Sequence, residues 1–361
     1  MKKAFFLLLA LLFLLTTSCD TTSQPPEPPQ NLTPEDRVQA NRGNFVETED
    51  GCYYLKQDLS NGFFIYFSPR GSAAFYPLCN KPNCTHRDEN CNAWCIGAFG
   101  YHNGALYAVT QYLQKEGQIE LVKMNLDGSN HETVAPLPVQ SGTLQLNFHR
   151  GKLYIYSLGD YAPIDPELDR FFVMDLDTYE STELFTDFFH EGNRFSYLNF
   201  FEDKLYVCAA NELSSQQNMR MMEFDISYDT WHELVPLSLG ASYATETTFY
   251  YLEPDVGFRE YDLATGEIKD CGLPIEDAWW AAYDEDYIYL MGHSRNDEKE
   301  HTLYFLNRNY EYLDQVELTD GIFYGYVSSD KLYFSKDFEP LSHYISKSDI
   351  GSHKLSLQPF D

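Results

Sequence analysis

The densest chemistry in this chain lies in one short stretch, Leu78-Cys79-Asn80-Lys81-Pro82-Asn83-Cys84-Thr85-His86-Arg87-Asp88-Glu89-Asn90-Cys91-Asn92-Ala93-Trp94-Cys95. Its candidate residues are Cys79, Cys84, His86, Cys91 and Cys95. Thiols this close together chiefly do one of two things, and free thiols that do neither are the remaining alternative. In an exported protein they form disulfides, and four cysteines allow three pairings. Alternatively, three thiolates and an imidazole hold zinc. The spacing departs from that of common zinc fingers, whose paired cysteines stand two residues apart, and His86 follows Cys84 closely enough to make a tight chelate. Disulfides are the first expectation and zinc the second; no other cofactor is expected.

Other candidates are thinner. Asp160, Asp165, Glu167 and Asp169 share a stretch that offers oxygen ligands, but their spacing matches no EF-hand loop. Trp279 and Trp280 have faces that stack on sugars, yet such residues more often pack within a core. His102, His149, His293 and His301 are scattered and fall mostly at turns. Cys52, Cys208 and Cys271 stand in or beside strands and read as small core residues. No nucleophile elbow, phosphate-cradling glycine loop or metalloprotease signature is present.

These residues need a scaffold and an address. The chain has 361 residues and opens with Lys2 and Lys3, the apolar run Ala4 to Leu15, and then Thr16-Thr17-Ser18-Cys19. This is the order of a secretory signal peptide, too short in its apolar part to span a membrane well. The small residues before Cys19 resemble a bacterial lipobox, which implies lipidation of Cys19 after removal of residues 1–18. Thr16 stands where a lipobox usually has leucine. The prolines Pro25, Pro26, Pro28, Pro29 and Pro34 make residues 19–43 a semi-rigid tether. With Cys19 acylated, seven cysteines remain, so at least one thiol is unpaired within a monomer.

The formal net charge is −30. Such acidity argues against nucleic acid, whose phosphates need Lys and Arg, and against adhesion to an anionic membrane surface. Its simplest consequence is solubility outside the cell.

A repeated phrase sets the fold. A polar turn is followed by an aliphatic-aromatic strand ending at Tyr54, Tyr107, Tyr154, Tyr206, Tyr250, Tyr289 and Tyr333. The steps run from 39 residues (Tyr250 to Tyr289) to 53 (Tyr54 to Tyr107), and four-stranded propeller blades take roughly 40–50 residues each. An alternating segment precedes each phrase, and a strand ending in an Asp-containing turn follows it, as at Asp127, Asp175, Asp225 and Asp262. The expected fold is all-β, a seven-bladed β-propeller of four-stranded antiparallel blades over residues 44–361, with the Cys/His insert at 79–95. The insert is expected to join the last strand of one blade to the first of the next. It would then share a face with the long loops Gly159 to Arg170, Ala210 to Gln217, Gly292 to His301 and Lys336 to Ser342.

Individual units resemble known repeats. Phe224-Asp225-Ile226-Ser227-Tyr228-Asp229-Thr230-Trp231-His232-Glu233-Leu234 is similar to the end of a kelch repeat, without the paired glycines of that family. Tyr261-Asp262-Leu263-Ala264-Thr265-Gly266-Glu267 resembles the turn of quinoprotein-type blades. As a whole, the lipobox, proline-rich spacer, Asp-Lys-Leu-Tyr repeats and Cys/His insert resemble uncharacterised propeller lipoproteins of Gram-positive anaerobes. An anaerobic habitat, which that resemblance implies, weakens the case for disulfides.

The function expected from this reading is a membrane-tethered, extracytoplasmic binding module that presents a loop face to a protein, peptide or glycan. The competing expectation is a carbohydrate-active enzyme, a lyase or hydrolase, whose acids come from different blades and meet in the channel. A third is a sensory or envelope-assembly partner of another membrane protein.

Overall fold

The computed structural model describes residues 44–360, apart from 59–61, 73, 112–118, 140–142, 159–168, 202, 211–218, 238–241, 246, 254–256, 273–277, 294–300, 319–320 and 337–340. Seven antiparallel sheets follow one another along the chain, at residues 45–77, 99–136, 143–184, 194–237, 242–272, 278–318 and 322–359. Each is built from four consecutive strands, and blade one gains a fifth short strand, Trp94–Cys95. The protein is a seven-bladed β-propeller.

Every copy of the repeated phrase is the second strand of its blade: Gly51–Asp58, Ala105–Gln111, Lys152–Leu158, Lys204–Ala210, Thr248–Glu253, Tyr287–His293 and Lys331–Lys336. A blade is sandwiched between two others, so its second strand is covered on both sides and reads as a continuous apolar run. Leu153, Tyr154, Ile155 and Tyr156 are all essentially inaccessible. Six of the seven phrase-ending tyrosines are buried, and the exception, Tyr250, lies half-buried beneath the Arg308 guanidinium, 4.5 Å from its ring centre. First strands of adjacent blades touch, as Phe99–His102 does Thr143–His149 and Ser242–Ala244 does Ala278–Tyr283. They line the centre, and the fourth strands form the rim.

The repeated acids are turn residues. Asp175 Oδ1 accepts the amides of Asp177 and Thr178, Asp225 Oδ1 those of Ser227 and Tyr228, and Asp262 Oδ1 those of Ala264 and Thr265. A carboxylate that caps its own turn in this way is the physical reason for Asp at that position.

Among the described residues no strand is exchanged between the chain ends, because blades one and seven are each complete from consecutive segments. Side chains close the ring instead. Phe45 stacks on Tyr326 with ring centres 5.2 Å apart and lies 5.6 Å from Tyr333. Phe75 bridges Tyr54, Tyr333 and Phe360. The Glu47 carboxylate accepts both the amide and the hydroxyl of Ser329.

The sequence shows no helical period, yet among the described residues a short α-helix, Thr186–His190, lies between blades three and four. It is made by burial of Phe188 and Phe189 rather than by a capping signature. Among the described residues, no helix is long and apolar enough to cross a membrane. The signal peptide, Cys19 and the tether lie outside the described residues.

Candidate functional site

The insert does not sit where the sequence places it. The fourth strand of blade one begins at Tyr76–Pro77, paired to Tyr66 and Phe67 of the third strand, Gly62–Pro69. It resumes as Trp94–Cys95, paired to Phe64 and Phe63 of that same strand. Ile65 spans the gap, for its carbonyl accepts the Leu78 amide and its own amide donates to the Ala93 carbonyl, each at 2.8 Å. Residues 79–92 are therefore an excursion pinched out of the middle of a rim strand, not a connection between blades.

The excursion folds through tight turns. The Cys84 amide donates to the Lys81 carbonyl, with Pro82 second in the turn and Asn83 third at φ 62°. Proline followed by a left-handed residue is the signature of a type II turn. The Cys91 amide donates to Asp88, and the Trp94 amide donates to Cys91. His86 is itself left-handed, at φ 52°. That backbone turns its ring back, and Nδ1 comes to 3.4 Å from Cys91 Sγ. The tight spacing after Cys84 is thus accommodated by an uncommon backbone conformation.

The outcome is convergence. One ligand atom each from Cys79, Cys84, His86 and Cys91 lies within 4.8 Å of all the others. From Asn80 to Asn90, every residue except Cys84 and His86 is exposed. Cys95 stands apart. It is inaccessible in the strand opposite Phe63, belongs to the core beneath the insert, and burial pushes its thiol pKa up to about 12. Of the five residues singled out by sequence, the structure gathers four and removes one.

The electrostatics of the cluster are uneven. Burial raises the Cys79 thiol, but the backbone amides of Lys81 and Asn92 and the thiols of Cys84 and Cys91 outweigh it, leaving a net lowering. Cys91 is pushed the other way, up to about 12, chiefly by burial and by the neighbouring Cys79.

The insert leans on blade two. The Leu78 carbonyl presses on the turn at Gly128, where an added Cβ would stand 2.5 Å from that oxygen. His131 Nε2 donates to the Gly128 carbonyl, 3.2 Å away, and its pKa is lowered chiefly by burial. Tyr53 Oη donates to the Leu126 carbonyl across the same junction.

The remaining candidates resolve differently. Asp169 is fully buried, and its Oδ2 receives Arg194 Nε at 2.7 Å, so this acid is a structural ion-pair partner. Asp160, Asp165 and Glu167 lie outside the described residues, as does most of each long loop expected on the binding face. His102 and His149 are buried at the ends of first strands, beside Tyr107 and Tyr154 respectively. Trp280 packs on Tyr324 at 4.9 Å. Cys52 and Cys208 are core residues as expected, whereas Cys271 is only half-buried on the fourth strand of blade five. Sequence reasoning missed the Asp169–Arg194 pair, because its members stand in different blades with nothing local to link them. It also missed an open cleft of about 460 Å³ between blades four and five, floored by Tyr206 and rimmed by Asp203, Asp225 and the exposed Tyr228.

No family model matches the chain, and no curated protein matches it. Solved structures do. One, described in a study of two prolyl endopeptidases, superposes with a TM-score of 0.57 at 14% identity, covering 90% of this chain and 50% of that one. KlAtg21, solved in complex with the coiled coil of AgAtg16, gives 0.51 at 11% identity, covering 88% and 98%. An uncharacterised protein of Listeria monocytogenes EGD-e gives 0.50 at 9% identity, covering 74% and 85%. At these identities the likeness is one of fold.

Proposed function

We propose that this protein is a lipid-anchored interaction module held on the outer side of the cytoplasmic membrane, with its propeller offering loops to a protein, peptide or glycan. The observation that carries the reading is the composition of the central strands. Among the described residues of Phe45–Glu47, Phe99–His102, Thr143–His149, Arg194–Phe201, Ser242–Ala244, Ala278–Tyr283 and Ile322–Val327, the one carboxylate is Glu47. Both its oxygens are engaged by Ser329. Glycoside hydrolysis by the usual route needs two carboxyl groups facing each other across the bond, and these strands otherwise carry aromatic, aliphatic and uncharged polar residues with histidines and Arg194. The address rests on Lys2, Lys3, the apolar run and Cys19.

Metabolic labelling of the full chain with radioactive palmitate tests the anchor. Label should enter the wild type, partition with membranes, and vanish in Cys19→Ser. Incubation of the same preparation with a panel of polysaccharides tests the module. Retention of a glycan or peptide without new reducing ends or unsaturated products agrees with the reading. An unlabelled wild type overturns the anchor, and progressive shortening of a polysaccharide overturns the module.

A further inference from the structure

We propose that Cys79, Cys84, His86 and Cys91 form a closed, tetrahedral zinc site that fastens the rim of blade one to blade two. Zinc–sulfur bonds of about 2.3 Å and zinc–nitrogen bonds of about 2.0–2.1 Å place tetrahedral ligand atoms roughly 3.5–3.8 Å apart. The four ligand atoms here lie within 4.8 Å of one another, and His86 Nδ1 is 3.4 Å from Cys91 Sγ.

Counting thiols separates this from a disulfide cluster. With Cys95 sealed in the core, three sulfurs and one imidazole remain in mutual reach. Three is odd. A disulfide brings two sulfurs to about 2.05 Å and leaves the third, with His86, beside a bond that needs neither. A tetrahedral ion uses all four.

The surroundings suit a metal. The loop's own turns hold the cluster, with the Cys84 amide bonded to the Lys81 carbonyl and the Cys91 amide to the Asp88 carbonyl, and backbone bonds of this kind orient bound ligands. Three thiolates and an imidazole form a borderline-soft donor set that favours zinc over hard cations. Since the protein supplies all four ligands, no position is left for water or substrate, and the role is structural.

The site also answers a structural need. The excursion 79–92 is otherwise polar and exposed, so it buries little apolar surface of its own. Yet both halves of a rim strand hang from its ends, and Leu78 at its root packs on the Gly128 turn of blade two. An ion at the four ligands fixes the loop's ends without needing a core.

The test uses the full chain, purified in detergent under anaerobic reducing conditions without added chelator. Elemental analysis should find about one zinc per chain, as a closed four-ligand site holds one ion. X-ray absorption at the zinc edge should report three sulfur neighbours and one nitrogen. Cys84→Ser and His86→Ala should lose most of the zinc, while Cys95→Ala should keep it and so controls for folding. The proposal is overturned if folded wild type carries no metal, if Cys84→Ser retains the full complement, or if intact mass under non-reducing conditions shows a disulfide among Cys79, Cys84 and Cys91. None of these outcomes depends on the lipid anchor or on any ligand of the propeller.

Discussion

Breaking the ion pair between Asp169 and Arg194 should cost more than almost any other single change in the molecule. Their side chains are 0% and 2% exposed, and Nε and Oδ2 are 2.7 Å apart. The pair sits within a polar network: Asn193 donates to the Phe188 carbonyl at 2.8 Å and accepts Arg220 Nη2 at 2.7 Å, and the Phe195 amide donates to Tyr156 Oη. Around it lie Phe171, Phe185, Phe188 and Phe189. Removing one partner takes the ion pair from a buried charge, at a cost of about 3–5 kcal/mol. For chains of 150–250 residues each kcal/mol moves Tm by about 2–4 °C, so Arg194→Met or Asp169→Leu should lower Tm by roughly 6–20 °C, towards the lower end here. The double variant, Asp169→Leu with Arg194→Met, removes both desolvation penalties and should recover most of the loss. Thermal unfolding followed by near-ultraviolet circular dichroism reads this directly. A single variant within about 1 kcal/mol of wild type, as exposed pairs typically behave, would refute the reasoning. So would a double variant no more stable than the worse single.

Two further outcomes are expected. Gly128→Ala should destabilise by at least about 1–2 kcal/mol from its left-handed backbone alone, since φ is 74° and the new Cβ would also crowd the Leu78 carbonyl; urea unfolding midpoints measure it, and an unchanged midpoint contradicts the seating of the insert. The turn hydrogen bonds hold the Asp175 and Asp262 carboxyls below the usual carboxylate range, by the Thr178 and Thr265 amides respectively. A lowered folded pKa means that their stabilisation is fully present above the unfolded value of about 3.9 and is lost as pH falls through the folded one. Unfolding midpoints should therefore be flat in these two contributions near neutrality and decline below about pH 4, less steeply in Asp262→Ala than in wild type.

Much of the fold was legible because it repeats. The phrases at Leu106-Tyr107, Leu153-Tyr154 and Leu332-Tyr333 each mark a second strand, and seven copies leave little choice of architecture. The Asp turns were legible for the same reason. The insert was legible in type but not in place. Its composition announces thiol chemistry, but nothing local says that Trp94–Cys95 returns to the third strand of blade one, which depends on pairing with Phe63 and Phe64 some thirty residues earlier. That return is what buries Cys95 and separates it from Cys79, Cys84 and Cys91. The Asp169–Arg194 pair and the aromatic closure around Phe45 were illegible, because each joins different blades and carries no sequence spacing of its own.

Closure of the ring by side chains alone is the claim on which every placement depends, and a double-mutant cycle on Phe45 and Tyr326 tests it most directly. The two rings stack at 5.2 Å with an interplanar angle of 22°, one from the first blade and one from the last. Replacing each by leucine, singly and together, should give a coupling energy of about 0.5–1.5 kcal/mol. Additive effects, with no coupling beyond error, would mean that blades one and seven do not meet.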